Sequence, residues 1–132
     1  MASIRREIVV EARPEQVWAA VRDWGAPHKR LAPGFLLDTR LEDDARVVTF
    51  ANGLVARELI VDVDDEARRL VWAVVGSPRL THHNASLQVV GGGDRHSRVV
   101  WIADLLPHEA VPAIAGMMEE GLAIMKPTLE AA

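Results

Sequence analysis

Cysteine and tyrosine are both absent from the 132 residues. Without cysteine there is no disulfide, no thiolate metal site and no cysteine nucleophile. Without tyrosine there is no phenolic acid or phenolic hydrogen-bond donor. No run approaches the ~18 apolar residues that a membrane-spanning helix needs, so no integral membrane association is expected. Positive charge is not in excess either: 15 Lys+Arg stand against 19 Asp+Glu, a net of −4. Nucleic-acid binding rewards a basic face, and this balance gives no reason to expect one. No linker, low-complexity tract or internal repeat interrupts the chain, and its length suits one domain, read as residues 1–132. The N-terminus Met1-Ala2-Ser3-Ile4-Arg5-Arg6-Glu7 lacks an apolar signal core, so the expected location is cytoplasmic.

What is present is patterned. Residues 4–12 alternate, with Ile4, Ile8, Val10 and Ala12 on one face, which reads as a strand. Pro14 and Glu15 then suit a helix first turn, and Val17, Trp18 and Val21 recur at helical spacing. Gly25-Ala26-Pro27 is expected to end that helix, with one further short turn over 28–31. From 35 to 106 the pattern turns to strands, at 35–41, 46–51, 55–63, 69–75, 81–90 and 98–106. The separators are short and rich in turn residues. Asn52-Gly53 between two apolar runs is a hairpin signal because both residues accept positive φ. Connections this short cannot carry a parallel crossover, so the sheet is expected to be an antiparallel meander. After Pro107, Val111, Ile114, Met117, Met118, Leu122 and Met125 recur at three- and four-residue spacing, an amphipathic helix. Pro127 is expected to kink or shorten its end. The fold class that results is α+β: about seven strands in a strongly curved antiparallel sheet, two short helices after the first strand, and one long C-terminal helix across the concave face.

Several stretches carry a resemblance. Ile8-Val9-Val10-Glu11-Ala12-Arg13-Pro14-Glu15-Gln16-Val17-Trp18 gives a strand, then Ala-x-Pro-x-x-Val-Trp opening a helix, and Asp23-Trp24 follows. Arg57-Glu58-Leu59 and Asp64-Asp65-Glu66-Ala67-Arg68-Arg69-Leu70 sit in the central hairpins, Ser97-Arg98-Val99-Val100-Trp101 in the last strand, and Gly121-Leu122 with Met125-Lys126 in the final helix. In order and spacing the chain resembles the polyketide cyclase/dehydrase branch of the START-like (SRPBCC) superfamily. That resemblance implies the helix-grip fold and a cavity between sheet and helix. It also implies a gate at the cavity mouth from the Pro33-Gly34 and Gly76-Ser77-Pro78 turns. The family's members include binders and enzymes, so the fold alone does not decide function. Where related sequences often carry an aromatic residue, frequently tyrosine, this chain has His83.

Strand parity selects the inward residues. On the fourth strand Ala56, Glu58 and Ile60 share a face, taken as inward because the resemblance keeps an acid at Glu58. Leu70, Trp72 and Val74 share a face on the fifth strand, His83, Ala85, Leu87 and Val89 on the sixth, and Val99, Trp101, Ala103 and Leu105 on the last. The helix adds Met117, Met118, Leu122 and Met125. The expected ligand-binding set is Arg6, Phe50, Trp72, Trp101, Met117, Met118, Leu122 and Met125. Methionine and tryptophan make an adaptable apolar lining, and the same stripe serves equally as plain core. Burial favours the neutral form of Glu58, which suits a general acid. The alternative is an ion pair with Arg6 or Arg46. His82 and His83 point to opposite faces, with His83 taken as inward, either as base or proton shuttle opposite a carboxylate or as a hydrogen-bonding group that orients a ligand. His28, His96 and His108 lie on separate elements, so no metal site is expected. Gly91-Gly92-Gly93-Asp94 lacks the ending of a phosphate loop, and Ser86 lacks a nucleophile elbow.

Three functions remain open. The first is binding of a small hydrophobic or amphipathic molecule, whether lipid, polyketide or aromatic, between sheet and helix. The second is a cofactor-independent cyclase or dehydratase, with Glu58 and His83 as the expected catalytic pair. The third is an interaction protein whose cavity has collapsed. No cofactor is expected for any of them, and the chain is expected as monomer or homodimer.

Overall fold

The computed structural model describes residues 1–132. Its elements run β1 (Ala2–Val10), α1 (Pro14–Val21), α2 (Pro27–Arg30), β2 (Leu36–Glu42), β3 (Ala45–Phe50), β4 (Val55–Asp64), β5 (Arg69–Val75), β6 (His82–Gly91), β7 (Ser97–Leu106), a 3-10 turn (His108–Ala110) and α3 (Val111–Ala131). The strands form one antiparallel sheet in the order β1-β7-β6-β5-β4-β3-β2. The meander leaves β1 to pair β7, so α1 and α2 form the only long excursion.

Strand alternation puts one apolar face toward α3. In cross-strand pairs the two side chains share a face, so rows can be traced across the sheet. Leu70 pairs Leu87, Leu87 pairs Trp101, and Trp101 pairs Arg6. Trp72, Ala85, Ala103 and Ile4 form the next row, and Arg46, Glu58 and Val74 a third. The inward parity assigned from sequence is therefore the observed one. The core joins this face to Val17, Trp18, Ala20 and Val21 of α1 and to Ala115, Met118, Leu122, Met125 and Leu129 of α3.

Some expectations change. β1 ends at Val10 and not at residue 12. The Ala12 carbonyl instead accepts a hydrogen bond from Ser97 Oγ at 2.8 Å. Phe35 leaves the strand and packs edge-to-face on Phe50, with centroids 5.5 Å apart. Only Gly53 takes positive φ in the Asn52-Gly53 turn. Asn52 uses its side chain, whose Oδ1 accepts from Leu54 N–H at 3.0 Å, so a longer loop replaces the two-residue hairpin. Helix α1 stops at Val21, before Gly25, and Pro27 opens α2 in place of ending a helix, at a first-turn position where its missing donor is harmless. Pro127 does not shorten α3, which continues to Ala131. The carbonyl that Pro127 leaves without its helical donor belongs to Ala123, and both residues are exposed, so water can satisfy it.

Candidate functional site

The concave face carries two polar groups in an apolar surround. One is the Arg46–Glu58 pair. β3 and β4 are joined by a short loop, and their register sets Arg46 directly opposite Glu58. Arg46 Nε lies 2.7 Å from Glu58 Oε1, with only 6% and 9% of the two side chains exposed. Trp24, in the loop after α1, sets its ring against the guanidinium, with Arg46 Cζ 3.9 Å from the ring centroid. Its carbonyl accepts from Arg46 Nη1 at 3.3 Å. Trp72 approaches the guanidinium at 5.7 Å. A buried charge is tolerable when it is paired and hydrogen-bonded, and a cation over an indole face gains further attraction.

The other group is His83. It sits on β6 opposite Leu105, which is fully buried, while its neighbour His82 turns to the outer, exposed face. Both His83 ring nitrogens are buried and neither has a hydrogen-bond partner. Burial pushes its pKa below the usual histidine value, and the charge of His82 adds to the same direction. His83 is therefore a neutral imidazole at neutral pH, with one free donor and one free acceptor. Trp101 Nε1, on the same face, is likewise buried without a partner.

These two groups do not touch. β5 lies between their strands, and two strand spacings amount to about 10 Å. The expected histidine opposite a carboxylate is thus not formed: Val74 occupies the place opposite Glu58. Arg6 is not a partner of Glu58 either. It sits on β1, near the other edge of the sheet, where its Nε lies 3.3 Å from Glu119 Oε2 of α3 in a largely exposed pair.

The apolar residues converge. Trp72, Met118, Leu122 and Met125 are 3%, 1%, 2% and 4% exposed and belong to the core. Trp101, Met117 and Phe50 are partly buried against it. The Trp72 and Trp101 rings lie 6.2 Å apart, tilted by 50°. Gly121 lets α3 come this close, because a Cβ there would stand 3.2 Å from Trp101 and 3.3 Å from Phe35. Two clefts of about 210 and 570 Å³ lie elsewhere. The first is lined by Gln16, Ala20 and Thr128 among others, the second by Arg13, Gly93 and Arg95, and neither includes a residue of the expected lining.

Sequence reasoning gave Arg46 only as a possible partner of Glu58 and gave Trp24 no role at the site. A signal existed for Arg46, since its strand places it on the same face as Val48 and Phe50. Trp24 lies in a loop, where no periodicity points. Asp65, read as part of a solvated acidic edge, also ties α1 to the β4–β5 turn. Its Oδ1 accepts from Trp18 Nε1 at 2.9 Å and from Arg22 Nε at 2.8 Å.

The sequence profile of a family described as "Polyketide cyclase / dehydrase and lipid transport" matches residues 1–130. No curated protein sequence matches the chain. Among solved structures, a protein from Thermobifida fusca is similar at 30% identity with a TM-score of 0.80, over 98% of this chain and 91% of that one. A START superfamily protein from Mycobacterium smegmatis aligns at 15% identity with a TM-score of 0.73, over 98% and 94% of the two chains. Norcoclaurine synthase from Thalictrum flavum, in complex with dopamine and hydroxybenzaldehyde, aligns at 19% identity with a TM-score of 0.73, over 98% and 84%. At such identities the last two show a shared fold, the START-type helix grip.

Proposed function

This chain belongs to the polyketide cyclase/dehydrase and lipid transport family, and on that premise we propose that it binds a small hydrophobic or amphipathic molecule between the concave sheet face and α3. The observation that carries the reading is His83. Buried polar groups in folded proteins almost always find a partner, yet both His83 nitrogens have none on the protein, and Trp101 Nε1 shares that condition on the same face. A ligand with polar groups of its own would satisfy them. The surrounding tryptophans and methionines supply apolar contact, and methionine can repack around an occupant at little cost. The norcoclaurine synthase neighbour accommodates small aromatic compounds in the same fold, which supports an aromatic or amphipathic occupant.

The test is native mass spectrometry of freshly purified protein before and after organic extraction. A co-purified molecule that leaves on extraction is the expected result. If the mass is that of the bare chain, and an added panel of apolar and aromatic compounds causes no change in tryptophan emission, the cavity is closed and the binding reading falls.

A cofactor-independent cyclase or dehydratase is the second reading, favoured by the neutral and unpartnered state of His83. An imidazole in that state can accept a proton from a carbon flanked by carbonyls and return it to an oxygen later in the reaction. Glu58 then serves to hold Arg46, because its carboxylate is already engaged. His83→Ala separates the two readings. Lost turnover with binding retained supports the enzyme, whereas weakened binding with no turnover in either protein supports the binder.

A further inference from the structure

We propose that Arg46 anchors the polar end of the ligand, and that this end is a carboxylate. The inference rests on the binding reading above and assigns the chemistry at one end of the same site. A guanidinium has five N–H donors. In Arg46, Nε donates to Glu58 and Nη1 to the Trp24 carbonyl, and Nη2 has no acceptor on the protein. The side chain is 94% buried all the same, by its 6% exposure. Nη2 is not among the buried atoms that lack a partner, so it is the end of the guanidinium open to a ligand, and the strongest acceptor for it is a charged oxygen.

The geometry is arranged in advance. Glu58 holds the guanidinium at Nε, the Trp24 ring centroid lies 3.9 Å from Cζ, and the Trp72 ring centroid lies 5.7 Å from it. A ligand meeting Arg46 does not have to order it, which removes a common cost of binding. A carboxylate matches the planar fork better than a single oxygen does. The Trp72 ring then continues to Trp101, 6.2 Å away, so an apolar wall begins where the charged head ends. An ammonium head brings no acceptor for Nη2.

Three amphiphiles with the same twelve-carbon chain test this: laurate, methyl laurate and dodecylamine, each titrated calorimetrically into the folded protein. Laurate is expected to bind at least about ten-fold more tightly than the other two, the scale of one charge-assisted hydrogen bond. In the double variant Arg46→Met/Glu58→Met the pair is replaced by apolar groups of similar length, an exchange that buried ion pairs often tolerate. There the preference for laurate over the other two should vanish. Glu58→Gln keeps an acceptor for Nε and removes a negative charge near the head, so laurate should bind more tightly to it than to the wild type. Equal binding of all three heads by the wild type overturns the assignment of Arg46 and leaves the cavity standing. A preference that survives in the double variant overturns it equally. Methyl laurate binding as well as laurate overturns the carboxylate in favour of a neutral carbonyl. If none of the three binds, this inference falls, while the binding reading is decided separately by the panel of apolar and aromatic compounds above.

Discussion

The two polar corners of the concave face are opposites. At Arg46 a cation, a carboxylate and a backbone carbonyl pair with one another beside two indole rings, leaving Arg46 Nη2 and the buried Trp24 Nε1 without partners. At His83 an imidazole with both nitrogens buried has no partner at all. Both stand on strands of the same sheet and both face α3. The first corner is closed by the chain's own residues, because β3 and β4 are adjacent and the register sets the pair opposite each other. The second lies on β6, where the facing residue in β7 is Leu105, which offers no hydrogen bond. At the first corner the charges are paired, and breaking that pair from one side is costly. The second detracts from stability, and a group kept in that condition is expected where something else is to be bound.

The sharpest way to break this comparison is to open the closed corner. Glu58→Leu leaves Arg46 buried without its counter-charge, and breaking a buried pair from one side costs about 3–5 kcal/mol. Chemical denaturation should show that loss, and Arg46→Met/Glu58→Met should recover most of it. A loss below about 1 kcal/mol would place the pair with ordinary surface ion pairs and would remove the distinction between the corners.

Gly121 tests the apolar ground between the corners. Leucine there has no room against Trp101 and Phe35. Overpacking of this kind costs about 1–3 kcal/mol, partly offset by about 1 kcal/mol of better helix propensity. A thermal unfolding midpoint below that of the wild type is expected, together with weaker binding of any apolar probe. An unchanged midpoint would mean that α3 can stand off from the sheet and that their interface yields easily.

How much of this was legible in the sequence follows from where each residue sits. The β5 boundaries and the inward parity of Trp72, His83 and Trp101 could be read because β5, β6 and β7 pair without a bulge. The β4 parity was harder. A register shift between Ile60 and Asp62 breaks its alternation, so Val63 faces Leu70 across the bulge. The partner of Glu58 needed the β3–β4 register, which the Asn52-Gly53 turn leaves undecided: a two-residue turn and the observed longer loop set different pairs opposite each other. Trp24 and Phe35 were invisible as site residues because each lies just outside a regular element, where contact is set by the path of the chain and not by a period. Whether the methionine stripe borders a core or a ligand was never in the pattern, since it packs the same way against either.

The smallest expected effect, and the one most specific to the open corner, is a pH dependence. The His83 pKa in the folded chain lies below the reference value of 6.5, chiefly through burial. Between the folded value and 6.5 the unfolded chain binds more protons than the folded one, so stability rises with pH across that window and levels off above it. Acidification from about pH 7.5 to about 5.5 should therefore weaken the wild type more than His83→Gln, which cannot titrate there. The depressed carboxylates Glu42 and Glu130 act in a separate range, since their contributions are lost only as pH falls below 4.5. Urea denaturation of both proteins at the two pH values checks the difference. Parallel losses would mean that His83 already has a partner in solution, and the contrast between the two corners would disappear. An excess loss in the wild type that shrinks when a ligand is added would place that ligand at His83, because an occupant that accepts a hydrogen bond from the imidazole favours its charged form and narrows the window.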